Sequence, residues 1–142
     1  MNRIGRRRTF ALLAFLASNL GCEKLPAAPE LPNEIPVATF AYTPVAPIYA
    51  GNTAVAFSAL GTHDGDGQIV SYVWNFGDGT PEETTPEPTF RHTFPDTPSR
   101  CMTVTYGVML VAVDDQGGRG VATQSVTVTE LPAPNAPECV GH

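Results

Sequence analysis

Apolar and polar positions alternate most regularly over Ile69–Phe76, where Val70, Tyr72, Trp74 and Phe76 fall on one side of an extended chain and Ile69, Ser71, Val73 and Asn75 on the other. β-branched and aromatic residues dominate the run, which suits a pleated surface. Aromatic side chains bury about 150–250 Å² each, so the face with Tyr72, Trp74 and Phe76 is expected to point inward. Trp74 is the sole tryptophan of the chain. The run stops at Gly77-Asp78-Gly79, where glycine permits the left-handed backbone and an aspartate can accept a bond from its own backbone two residues on. Asp78 is therefore expected first of all to form a turn.

The same alternation marks further strands. Val37–Tyr42 places Ala38 and Phe40 inward, and Asn52–Ala59 places Val55, Phe57 and Ala59 inward. Thr89–Phe94 is short. Met102–Val113 is long, with Tyr106, Val108, Leu110 and Ala112 inward, and Gly120–Thr129 closes the sheet with Val126 and Val128 inward. The intervals are polar and turn-rich: Gly61–Gln68, an acidic proline-rich loop over Pro81–Pro88, and a hairpin turn over Asp114–Gly118. Fourteen prolines and thirteen glycines, with few helix-forming runs after residue 22, argue against helices. About seven short strands separated by polar turns imply an all-β antiparallel sandwich.

The stretch Asp66-Gly67, Ile69, Tyr72, Trp74, Phe76-Gly77-Asp78-Gly79 resembles the PKD domain. His92-Thr93-Phe94, Tyr106–Asp114 and Gly117 extend the likeness, which runs from about Pro36 to Thr129. The resemblance implies an immunoglobulin-like β-sandwich that contacts protein or polysaccharide through exposed strands and loops. One departure is the insertion of Arg100–Thr105 ahead of the Tyr-x-Val-x-Leu strand, which leaves the edge near Cys101 open.

Charge is uneven. Arg3, Arg6, Arg7 and Arg8 crowd the N-terminus, and from Cys22 onward only Lys24, Arg91, Arg100 and Arg119 stand against fourteen acids. So acidic a surface repels nucleic acid and anionic lipid heads. The basic start and the apolar run Phe10–Leu20 form a signal segment too short to span a membrane. The run ends at Leu20-Gly21-Cys22, which looks like a bacterial lipobox with Asn19 in place of its leucine. Residues 1–21 are therefore expected to be a lipoprotein signal peptide, with the lipid on Cys22; ordinary cleavage is the alternative. Residues 22–36, with Pro26, Pro29, Pro32 and Pro36, read as a semi-rigid tether. The sandwich is expected over 37–130 and a proline-rich tail over 131–142. This gives the protein an address at the bacterial cell envelope, on the periplasmic face or the cell surface.

Cys101 and Cys139 remain in an exported chain, where disulfides persist. Antiparallel pairing of the last two strands should end Thr129 near Met102, within reach of a tail carrying Cys139, so a Cys101–Cys139 bridge is expected. No nucleophile motif is present, and His63, His92 and His142 lack metal-ligand spacing, so no catalytic residue can be named. No cofactor is required. Asp64-x-Asp66 starts like an EF-hand loop, but Gln68 stands third, no glycine follows it, and Asn75, inside the strand, stands where the closing glutamate belongs, so the EF-hand reading fails. A looser calcium site drawing on Asp64, Asp66, Asp78, Asp114 or Asp115 stays open. The expected function is non-catalytic recognition of protein or carbohydrate, with a spacer or assembly subunit as the alternative. Tyr42 and Tyr49 are the candidate exposed aromatics.

Overall fold

The computed structural model describes residues 29–96 and 102–130. Its strands are β1 (Ala41–Thr43), β2 (Val55–Ser58), β3 (Ile69–Asn75), β4 (Glu83–Thr85), β5 (Thr89–His92), β6 (Thr103–Asp114) and β7 (Arg119–Thr129). They form two antiparallel sheets, β1-β2-β5 and β4-β3-β6-β7. This is the all-β sandwich expected from the alternation.

The inner faces meet on the residues whose period put them there. Val55, Phe57 and Ala59 of the smaller sheet and Trp74, Phe76, Val108, Leu110, Val126 and Val128 of the larger one are all 0–1% exposed. Tyr72 is buried, and Tyr106 is half-buried against the same cluster. Rings surround the indole of Trp74: Phe40 meets it edge-on at 5.3 Å, Phe57 lies at 5.6 Å and Phe76 stacks at 6.3 Å.

Three local expectations change. Val70 is 49% exposed, whereas Ile69 packs on the core. The register of β3 on β6 shifts between Ile69 and Ser71. The extra residue of a bulge is left unpaired and reverses the alternation before it, so Val70 turns outward. The proline-rich loop contains β4, which pairs Glu83–Thr85 with Tyr72–Trp74. Charge on a short edge strand discourages pairing with another chain, and Glu83 supplies it here. The first strand is shorter than the pattern suggested: only Ala41–Thr43 pairs with β2, although Phe40 is buried.

β7 is long and carries no acid or proline, so its outer edge would be a pairing template. The segment ahead of β2 covers it. Gln124 Nε2 donates to Phe40 O, Tyr42 Oη donates to Ser125 O at 3.2 Å, and Thr129 exchanges backbone bonds with Ile48 O and Ala50 N. Pro36 is buried, with its carbonyl pressed where a Cβ on Gly120 would sit. Asn33–Pro36, expected in the tether, are thus fixed to the domain. Glu130 N bonds Met102 O at 3.0 Å, the neighbourhood expected from strand pairing. Cys22, Cys101 and Cys139 lie outside the described residues.

Candidate functional site

The turn after β3 is built by Asp78. Its Oδ1 accepts bonds from Thr80 N at 3.0 Å and Thr80 Oγ1 at 2.6 Å, while His92 Nε2 on β5 donates to Oδ2 at 2.6 Å. The Asp78 side chain is fully buried, and the His92 ring stacks on Phe76 with centroids 3.8 Å apart. Gly77 has φ 70°, and a Cβ there would strike the Gly107 backbone. Aspartate, histidine and threonine hydroxyl meet here, yet the hydroxyl bonds the acid rather than the imidazole. That order does not activate a nucleophile. The cluster locks the end of β3 to β5.

Burial would raise the Asp78 pKa, but the bonds from Thr80 and the charge and bond of His92 outweigh it and hold the carboxyl below its ordinary value. Asp114 behaves alike: desolvation is outweighed by bonds from Asn33 Nδ2 and from the backbone of Gly118, Gln116 and Gly117.

Asp64, Asp66, Asp114 and Asp115 gather at the opposite end, where β3 begins and β6 ends. Glu34 N donates to Asp66 Oδ2 at 3.1 Å and Asn33 Nδ2 to Asp114 Oδ2 at 3.0 Å. Gln68 N donates to Asp115 Oδ1 at 3.1 Å. A side chain on Gly67 would collide with carboxylate oxygens of Asp64 and Asp115, so glycine leaves room for both. Both carboxylate oxygens of Asp64 and the Asn33 Oδ1 are buried without a hydrogen-bond partner. A buried carboxylate without a donor is costly, and a hard cation is the group that would satisfy it. Among the described residues no three His, Cys, Asp or Glu side chains already converge on one metal position, so a cation would also draw on Asn33 and on main-chain or water oxygens. Asp78 does not belong to this set. The length of β3, roughly 20 Å at about 3.3 Å per residue, separates it from Asp64 and Asp66, and its oxygens already accept bonds from Thr80 and His92.

The third feature lies on the outer face of β1-β2-β5. Thr43, Ala56 and Arg91 pair across the three strands, and Ser58 pairs with Thr89 across β2 and β5. Small side chains in the middle leave a groove of about 470 Å³, lined by Thr43, Ala56, Phe57, Ser58, Thr89, Phe90 and Arg91. Among the described residues the hydroxyls of Thr43, Ser58 and Thr89 and the guanidinium of Arg91 are committed to no hydrogen bond or ion pair. The groove escapes a reading of the sequence because its residues are scattered over three segments; the alternation that assigns Val55 and Phe57 to the core is the signal that turns Ala56 and Ser58 outward. The two tyrosines are less available than expected. Tyr42 is half-buried, packs on Phe57 at 5.8 Å and spends its hydroxyl on Ser125; Tyr49 is half-buried.

Comparison with known proteins agrees with this architecture. The model of the PKD domain family matches residues 33–129. Collagenase ColQ1 of Bacillus cereus strain Q1 is 37% identical over 90 residues, 59% of this chain and 8% of that protein. Collagenase ColA of Bacillus cereus ATCC 14579 is 34% identical over 86 residues, with the same coverage of 59% and 8%. The chain thus spans about 8% of the length of these curated relatives. A solved protein studied for the promiscuous specificity of carbohydrate-binding modules of the β-sandwich superfamily superposes with TM-score 0.61 at 34% identity, over 75% of this chain and 38% of its own. The PKD1 domain of Vibrio anguillarum Epp superposes with TM-score 0.53 at 28% identity, over 71% of this chain and 100% of its own.

The depressed carboxylates set the acid limb of stability. A group whose folded pKa lies below its unfolded value, ~3.9 for aspartate, contributes stability that is complete above that value and lost as pH falls through the folded one. Asp78→Asn should cost about 1.5–3 kcal/mol at pH 7, the worth of bonds to a charged group, and should flatten the loss between pH 5 and pH 2. Urea denaturation across that range measures it; wild-type and variant curves that stay parallel would contradict the assignment.

Proposed function

The chain belongs to the PKD domain family, and on that premise we propose that it is a non-catalytic recognition module, held at the bacterial cell envelope by a lipid on Cys22, that binds carbohydrate or protein. The observation that carries the reading is the groove on β1-β2-β5. Uncommitted hydroxyls and a guanidinium line a concavity within the range of about 300–1,000 Å³ usual for ligand sites. The likeness to a protein studied for its carbohydrate-binding modules supports carbohydrate as one ligand class. The proline-rich segment after Cys22 would set the groove off the membrane. The collagenases share only a segment with this chain, and nothing of their proteolysis is transferred.

Calcium is the proposed ligand of the acidic end, on the strength of the unpartnered Asp64 carboxylate. It would tie Asn33, and so the start of the domain, to the loop before β3. The role is structural, and weak affinity of about 10⁻⁴–10⁻³ M is usual for extracellular calcium modules.

The recognition reading is tested with the full chain. It should sediment with envelope membranes and lose that behaviour on Cys22→Ala, and it should give saturable binding on a glycan array or an envelope-extract pull-down. Silence of every glycan and extract would instead favour a spacer or assembly subunit. For the acidic end, calcium at several millimolar should raise the melting temperature by a few degrees and magnesium should not, with the gain absent in Asp64→Asn. An equal gain in that variant would remove Asp64 from the site.

A further inference from the structure

The groove on β1-β2-β5 carries a more specific reading, which rests on the recognition function just described. We infer that it takes a saccharide bearing a carboxylate, such as a short uronic-acid oligosaccharide, with Arg91 holding the carboxylate. Three observations point the same way.

The first is the state of Arg91. Beyond Cys22 the chain has only four basic residues against fourteen acids, yet Arg91 makes no ion pair among the described residues. No carboxylate lines the groove with it. A guanidinium presents a planar fork that matches a carboxylate with two parallel bonds. A cation left unpaired in so acidic a chain, facing a groove free of acids, is complementary to an anionic group on the ligand.

The second is the kind of polar group beside it. Thr43, Ser58 and Thr89 offer hydroxyls that both donate and accept, all uncommitted. They suit sugar hydroxyls, which have the same dual character. Thr43 pairs with Ala56 and Ala56 with Arg91, while Ser58 pairs with Thr89 two residues along. Cation and hydroxyls therefore stand on adjacent rows of one sheet face, close enough for the carboxylate and ring hydroxyls of neighbouring sugar units.

The third is the lack of a stacking platform. The groove's aromatic lining is Phe57, 1% exposed, and the half-buried Phe90. The Phe57 ring is sealed in the core and the Phe90 ring packs on Phe76 with centroids 5.6 Å apart, so both rings are engaged by the core. Binding then depends on hydrogen bonds and charge, which favours an acidic sugar over a neutral one. The net negative charge of the domain opposes long polyanions, so short oligosaccharides should bind better per charge than the polymer at low salt.

The test titrates the full chain with trigalacturonate, with the same trimer after reduction of its carboxyl groups, and with triglutamate, following backbone amide shifts. Trigalacturonate should move amides of β1, β2 and β5 and bind at least tenfold tighter than the reduced trimer. Arg91→Gln should remove that preference without changing the melting temperature, and Arg91→Lys should keep only part of it. Equal binding of the charged and reduced trimers would overturn the acidic-sugar assignment while leaving recognition itself intact. Triglutamate matching trigalacturonate at the same amides would overturn the saccharide in favour of an acidic peptide. Shifts confined to other strands, or no response to any of the three while other glycans still bind the chain, would remove the groove as the site.

Discussion

The indole of Trp74 is the contact on which both sheets close. It projects from β3 in the larger sheet and meets Phe57 of β2 in the smaller one, with Phe40 set edge-on and Phe76 stacked beside it. Burying an aromatic of this size contributes roughly 4–6 kcal/mol by area at about 25 cal/mol per Å². The indole N–H is buried without an acceptor, which costs about 1–3 kcal/mol. Burial exceeds that cost, so the ring remains sealed despite its unpaired donor. Against a total stability of about 5–15 kcal/mol for a domain, one side chain carries a substantial share of the fold.

From Trp74 the fastening extends to both ends of the sandwich. Phe76 continues the inner face and stacks on His92, and His92 bonds Asp78 in the turn that β3 enters. The small sheet is thus held to the large one by apolar contact in the middle and by a charge-assisted bond at one end. At the other end the Asn33–Asp114 bond ties down the entering chain. Polar groups committed to these fastenings are removed from function. Asp64 at the acidic end and the hydroxyls and guanidinium of the outer groove take no part in these fastenings, and the proposed ligands are assigned to them.

Legibility in the sequence follows the range of the interactions. Inner faces of β2, β3, β6 and β7 are readable because alternation is a local signal and most of the buried residues obey it; Val111, buried between Leu110 and Ala112, is the exception in β6. Alternation misplaces Val70 because a bulge is set by how β3 registers on β6, which the run Ile69–Phe76 does not encode by itself. β4 escapes notice because Glu83–Thr85 has no apolar period and exists as a strand only by pairing with an available edge. Asn33–Pro36 read as tether because proline spacing is local, whereas the bond to Asp114 spans 81 residues. The aspartates stand out as a type, but only the fold sorts Asp78 from Asp64 and Asp66. Arg91 is silent in the sequence because its meaning comes from what does not surround it.

The sealing of Trp74 can be measured directly, since it is the sole tryptophan. Acrylamide quenching of its fluorescence through a urea titration compares the wetness of the indole with the far-ultraviolet β signal. The indole should be nearly unquenchable in the native state and become accessible in one step, at the urea concentration where the β signal is lost. Quenching in the native protein close to that of free tryptophan, or accessibility gained well before the sheets unfold, would contradict a fold closed on that side chain.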